Sequence, residues 1–278
     1  MKIIFDSVSA KCSKVVTKTY STSFSLGIRF LDRTHREAIY AIYGFVRLAD
    51  EIVDSFHDYD KPLLLWKFKR DCNEAIEEQI SLNPILNAFQ KVVNQYKIKQ
   101  ELIDLFLESM EMDLRQEKYT TQKYERYILG SAQVVGLMCL QVFVQGEVAS
   151  YERLKESAMK LGSAFQKVNF LRDVKADFYL LSRSYFPGVD LSTFSIAEKL
   201  AIEKEISAEF DEALQGIRQL PKSSRRGVYL AYIYYKKLFD KIKKKTANQI
   251  MSERVRISNS HKLVLMLSSI FKSRYYGI

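Results

Sequence analysis

Apolar residues recur at three- and four-residue spacing through most of the chain, as at Leu102, Leu105, Phe106 and Met110, which is the period of an α-helix. The four prolines (Pro62, Pro84, Pro187 and Pro221) fall between such runs and never inside one, and only ten glycines are available to bend the chain elsewhere. The pattern predicts an all-α protein with helices over 7–22, 34–57, 62–80, 85–94, 98–115, 121–145, 150–180, 195–219, 223–250 and 258–273. The longest irregular stretch is 181–193, where Pro187 and Gly188 stop simple helix continuation. With 278 residues, 47% of them hydrophobic, and no linker or repeat, the chain reads as a single domain over 1–278 with a large core.

Cys12, Cys72 and Cys139 are odd in number and widely spaced, so they indicate neither a disulfide framework nor a zinc site, and a cytoplasmic setting is expected. The first residues lack the apolar run and small-residue cleavage site of a signal peptide. The best membrane-span candidate, 127–144, is interrupted by Ser131, Gln133 and Gln141 and reads as a buried core helix. A net charge of +10 admits three partners: nucleic acid, an anionic membrane surface or an anionic small substrate. The lysine run 241–245 reads as a solvated helix face, and no zinc-finger spacing or aromatic RNA-binding signature accompanies it.

Two helices carry polar stripes where a solvent face is not expected. Tyr43, Arg47, Asp50 and Asp54 follow steps of four, three and four; Gln166, Asn169, Asp173 and Asp177 follow steps of three, four and four, with Arg172 alongside. Like charges four apart on a helix cost about 0.2–0.5 kcal/mol. Both stripes also sit among apolar neighbours, such as Phe45, Val46, Ile52, Val168, Leu171 and Val174. Buried carboxylates require counter-charge. Arg47 and Arg172 supply part of it, and hard divalent cations with oxygen ligands would supply the rest. Mg²⁺ suits such a site, with Mn²⁺ as a substitute, because it takes one or two carboxylates per ion, keeps waters and completes its shell with substrate phosphates. Asp50, Asp54, Asn169, Asp173 and Asp177 are therefore the expected metal ligands, and the substrate is expected to be phosphorylated.

At these residues the sequence resembles the squalene/phytoene synthase family. Asp50-Glu51-Ile52-Val53-Asp54, preceded by Tyr43 and Arg47, is similar to the family's first aspartate motif, and the run from Gln166 to Asp177 to its second. Tyr20 to Phe24 resembles an N-terminal Ser-x-Ser-Phe element, Met110 to Leu114 a Met-x-x-Asp-Leu run, and Gly130 to Gly136 a small-residue helix. Arg183 to Pro187 resembles the Arg-x-Tyr-Leu-Pro that follows the second motif, and Arg254 to Arg256 a C-terminal arginine element. Gln133, Tyr20 and Ser109 depart from the usual residues, and none of them is a proposed metal ligand.

The resemblance implies an isoprenoid synthase fold, a helical bundle around a central cavity with the two aspartate helices facing across it. It also implies head-to-head condensation of two prenyl diphosphates through a cyclopropylcarbinyl diphosphate. Tyr43, Arg47 and Arg172 are then expected in catalysis, with Ser21, Tyr20, Gln166, Tyr185, Tyr235 and Arg254 in substrate binding. Phe24, Ile28 and Tyr40 are expected along the prenyl tunnel, where an aliphatic Ile28 favours a C20 chain. That points to geranylgeranyl diphosphate and phytoene, with no NADPH. Squalene or dehydrosqualene synthesis from farnesyl diphosphate is the alternative, as is a non-catalytic relative that acts in assembly or binding. A prenyl diphosphate is thus the expected partner, nucleic acid is not, peripheral membrane association is compatible, and the oligomeric state is not legible.

Overall fold

The computed structural model describes residues 1–115, 119–179, 185–189 and 193–255, without the side chains of 176–179. Among these residues every regular element is a helix: α1 (Lys2–Tyr20), α2 (Thr22–Arg29), α3 (Arg33–Asp54), α4 (Lys61–Glu78), α5 (Pro84–Tyr96), α6 (Gln100–Asp113), α7 (Thr121–Ile128), α8 (Val134–Phe143), α9 (Val148–Tyr179), α10 (Ile196–Gln219), α11 (Lys222–Lys243) and α12 (Ala247–Ser252). Polar side chains set their starts. Ser21, Asp32, Asp60, Asn83 and Thr120 each accept a backbone N–H at an N-terminus, and Ser195 with Glu198 and Thr246 with Gln249 form reciprocal capping boxes.

Three boundaries differ from the apolar period. The first helix starts at Lys2 and stops at Tyr20, because Ser21 turns extended (φ −143°, ψ 100°) and its hydroxyl accepts the Phe24 N–H at 3.2 Å to begin α2. The run 121–145 is one rod interrupted by a π-helical turn, Leu129–Gln133. The run 223–250 divides at Lys244, after which Thr246 caps α12. The expected helix over 258–273 lies outside the described residues.

Two apolar cores result. One centres on Phe45, whose ring stacks on Phe89 at 3.9 Å and meets Phe68 and Phe106. The other gathers Phe210, Phe239, Phe170 and Leu171 between α9, α10 and α11. The rod Thr121–Phe143 is long and apolar enough to cross a membrane, but 56% of its apolar 18-residue stretch is buried inside the bundle. Between the cores α9 lies very close to the π turn, since a Cβ on Gly162 would meet the Ala132 carbonyl oxygen at 2.5 Å.

Candidate active site

A cavity of about 310 Å³ runs between the cores, walled by α2, α3, α8, α9, α10 and α11. On α3 it follows Ile39, Ile42, Tyr43 and Val46; on α9 it follows Leu154, Ala158, Leu161, Phe165, Gln166 and Asn169. From Leu154 to Asn169 is roughly 22 Å of helix at about 1.5 Å per residue, so the cavity is a long apolar tunnel. Tyr43, Gln166, Asn169 and Tyr235 gather at the end where α3 and α9 carry their stripes.

On the α3 side, Arg47 forms ion pairs with Asp50 and Glu51 and lies 4.3 Å from the centre of the Tyr20 ring. Burial opposes the guanidinium's charge and the two carboxylates more than restore it, so its pKa is raised. Its Nε is buried with no hydrogen-bond partner, an orphaned donor at the cavity end. Burial also raises the Tyr43 hydroxyl, which hydrogen-bonds Ser21. Asp50 is the most perturbed group here. Burial first, then the charge of Asp54, push its carboxyl up to about 7 against the pull of Arg47, with Asp113 and Glu51 adding to the repulsion. Its side chain nonetheless keeps 35% of its surface open to solvent, so the carboxyl is crowded without being sealed off.

On the α9 side, the Tyr235 hydroxyl donates to Asn169 Oδ1 at 3.3 Å, and its ring stacks on Phe165 at 3.9 Å. Burial pushes that hydroxyl up to about 12. The Asn169 amide lies 3.5 Å from Gln166 Oε1. Arg172 Nε reaches both oxygens of Asp173, at 3.1 and 3.0 Å, and Arg254 Nε binds the same carboxylate at 2.6 Å. Phe24 joins the two sides, 5.6 Å from the Tyr43 ring and 6.1 Å from the Tyr235 ring.

Most of the expected residues therefore converge. Tyr20, Ser21, Tyr43, Arg47, Asp50 and Asp54 form one lip, and Gln166, Asn169, Arg172, Asp173, Tyr235 and Arg254 the other; Phe24 and Ile28 line the tunnel. The side chain of Asp177 lies outside the described residues. Tyr40 is a correction. It is buried outside the cavity, with Lys14 of α1 6.0 Å from its ring, because the α3 face that meets the tunnel passes through Ile39 and Tyr43 instead. Tyr185 is placed differently from a simple hydroxyl at the substrate: it stacks on Phe170 at 4.0 Å and lies 3.3 Å from Asp113 Oδ1.

Asp113 was not among the expected site residues. Tyr127 donates to its other oxygen at 2.7 Å, and its charge reaches Asp50. It stands at the last residue of α6 within the Met110–Leu114 run, but a single aspartate at a helix end gives no sign that it faces another carboxylate. Among the described residues no three His, Cys, Asp or Glu side chains are gathered tightly enough to hold a metal by themselves.

A helical bundle closed on an apolar tunnel, with acidic helices at one end, is the isoprenoid synthase fold. A solved dehydrosqualene synthase is similar over 98% of both chains with a TM-score of 0.83 at 20% identity, and a squalene synthase from Alicyclobacillus acidocaldarius over 85% of this chain and 93% of that one, at 0.74 and 21%. Residues 17–261 match squalene/phytoene synthase, and the chain belongs to that family of head-to-head prenyl diphosphate synthases. Its relatives include a chloroplastic phytoene synthase 1 of Solanum lycopersicum, 27% identical over 285 residues (95% of this chain, 68% of that one). A 4,4'-diapophytoene synthase of Staphylococcus haemolyticus is 27% identical over 282 residues (92% and 95%).

Proposed function

We propose that the protein condenses two molecules of geranylgeranyl diphosphate head to head to give phytoene, with Mg²⁺ and without NADPH. The observation that carries the diphosphate part of this reading is the excess of carboxylate around Arg47. Asp50, Asp54, Glu51 and Asp113 share one lip with a guanidinium whose Nε has no protein partner. An anion bridged to carboxylates by cations satisfies both needs. Asp50 and Asp54 on one lip, and Asn169 and Asp173 with Asp177 on the other, would hold Mg²⁺, which supplies neutralising charge to the departing diphosphate.

The chain's own groups do the remaining work. Arg47 and Arg172 grip phosphate oxygens, Tyr235 fixes the Asn169 amide, and Tyr43 and Ser21 order the lip beside Tyr20. As the C–O bond to diphosphate breaks, the allylic cation left behind lies against the apolar surface of Phe165, Phe24 and Leu161, which keeps water from it until the second prenyl double bond attacks. Attack of that double bond with loss of one proton closes the cyclopropylcarbinyl diphosphate; the second diphosphate then departs, the cation rearranges, and loss of a second proton gives the hydrocarbon. The apolar tunnel and membrane-soluble product fit peripheral association with a lipid surface in a cytoplasmic setting.

The C20 assignment rests on Ile28, which is 3% exposed and lines the tunnel deeper than Phe24. Incubation of the protein with Mg²⁺ and either farnesyl or geranylgeranyl diphosphate, with and without NADPH, is expected to give C40 hydrocarbon from the C20 substrate alone and no NADPH-dependent product. Ile28→Phe should shift preference towards farnesyl diphosphate, because overfilling a packed wall costs about 1–3 kcal/mol. A parent that makes only C30 hydrocarbon overturns the substrate assignment. Arg172→Lys should lower kcat/KM by about tenfold or more, since an ammonium cannot match the forked contact a guanidinium makes; unchanged steady-state kinetics would remove Arg172 from the diphosphate site.

A further inference from the structure

At the end of the tunnel away from the aspartates, two turns meet: the one between α2 and α3 and the one between α10 and α11. The Asp32 N–H donates to the Ser223 carbonyl at 2.7 Å, and His35 Nε2 lies 3.1 Å from Ser223 Oγ. Leu31 packs so tightly over α11 that a Cβ on Gly227 would meet its Cδ2 at 2.4 Å. Leu31 and Leu220 both line the tunnel, so these turns form its apolar end wall.

The outer side of that wall is strongly basic. Residues 29–36 contribute Arg29, Arg33 and Arg36, and residues 218–226 contribute Arg218, Lys222, Arg225 and Arg226. The only acid in either stretch is Asp32, whose carboxylate is occupied in capping α3 through the Thr34 N–H. Seven cations against one acid give a net +6 from two short segments, and +5 when the exposed Glu37 that follows the first is counted. Arg36 and Arg225 turn their Nε back to the carbonyls of Leu31 and Leu220, both at 2.9 Å, which fastens the turns. Arg29, Arg33, Arg218, Lys222 and Arg226 are exposed. The nearby start of α9 carries both signs, Glu152, Arg153, Lys155 and Glu156, and adds no net charge.

Like charges brought together at a surface raise the energy of the folded chain unless an anionic partner meets them. We propose that this basic end docks on an anionic phospholipid surface and sets the apolar end wall of the tunnel against the bilayer. The inference rests on the reading that the tunnel holds prenyl chains. Chemistry favours lipid over nucleic acid here. Among the described residues the exposed large aromatics are Tyr20, Tyr59 and Trp66, and none lies in these turns to stack on a base. A headgroup plane needs only distributed cations, each of which strengthens binding several-fold near such a surface. The lysine run 241–245 is a separate feature, roughly 25 Å further along α11 at about 1.5 Å per residue.

The test is co-sedimentation with vesicles of phosphatidylglycerol and phosphatidylcholine against vesicles of phosphatidylcholine alone, with no substrate present. Parent protein is expected to bind only the anionic vesicles, and more weakly as salt rises. A variant combining Arg29→Glu, Arg33→Glu, Lys222→Glu and Arg226→Glu should lose about a hundredfold in binding, with turnover on detergent-dispersed substrate unchanged. If charge reversal destabilises the fold, the same four positions changed to Gln should still lose about tenfold or more. The proposal is overturned if either folded variant binds like the parent. It is equally overturned if Lys241→Glu with Lys243→Glu and Lys244→Glu removes the binding instead, or if RNA displaces the parent from vesicles. Because no substrate is used, residue-dependent vesicle binding by a protein that makes no hydrocarbon would leave this surface standing and remove the proposed reaction.

Discussion

Asp50→Asn is expected to lower turnover by about a hundredfold or more, the scale on which removing one electrostatic contact to developing charge acts, while raising the thermal stability of the metal-free protein near neutral pH. The two effects share one cause. Burial and the neighbouring Asp54 hold the Asp50 carboxyl up to about 7, so the fold disfavours its ionised form. An acid whose pKa is raised from 3.8 in this way lets the folded state hold its proton where the unfolded chain has lost it. Its contribution is therefore fully present below about 3.8 and is lost as pH rises through about 7. Asparagine has no charge to lose, and Arg47 keeps Glu51 as its partner. Thermal melts in EDTA across this pH range should show the variant's advantage growing towards pH 8 and shrinking towards pH 5, by well under about 1.4 kcal/mol per pH unit because solvent screens the partly exposed carboxyl. A variant less stable than the parent at every pH would show that Asp50 supports the fold and is not held there for a cation.

Both lips of the site could be read from residue spacing, because steps of three and four place Tyr43, Arg47, Asp50 and Asp54, and likewise Gln166, Asn169 and Asp173, on single helix faces whatever surrounds them. Contacts between distant segments could not. Arg254 reaches Asp173, and Tyr235 reaches Asn169, across loops whose path no local pattern fixes. Tyr40 was misplaced for a related reason. One residue along a helix is a rotation of about 100°, so a tunnel that follows Ile39 and Tyr43 leaves Tyr40 against α1, although residue type alone does not separate Tyr40 from Tyr43. Asp113 lies in the Met110–Leu114 run that resembles a family element, but no spacing showed that it faces Asp50, three helices away in the chain order. The π turn was hidden too: its residues, Leu129 to Gln133, suit an α-helix, and what sets them apart is the neighbour pressed against them.

That close neighbour supplies the second large effect. Gly162→Ala is expected to destabilise the protein by about 1–3 kcal/mol and to cost more activity than the lost stability explains. The new Cβ would meet the Ala132 carbonyl oxygen at 2.5 Å, its carbon at 3.0 Å and the Gln133 Cα at 3.3 Å, all backbone atoms of the π turn that cannot rotate away. Relief requires α9 to move off the rod Thr121–Phe143, and α9 also carries Gln166 and Asn169 one and two turns further on. The orientation of a lip would thus change together with the packing. Gly27→Ala is the matched control. It is also a helical glycine on the tunnel wall, but its added methyl would meet the Gly227 carbonyl oxygen at 3.4 Å and the Ala231 Cβ at 3.7 Å, ordinary contacts. Replacing a helical glycine by alanine without a clash typically gains about 0.5–1 kcal/mol, so this variant should be as stable as the parent or more so. Urea denaturation of the two variants separates the explanations. If both shift alike, helix propensity decides the outcome; if Gly162→Ala alone loses stability and Asn169-dependent turnover, the approach of α9 to the π turn holds the second lip in place.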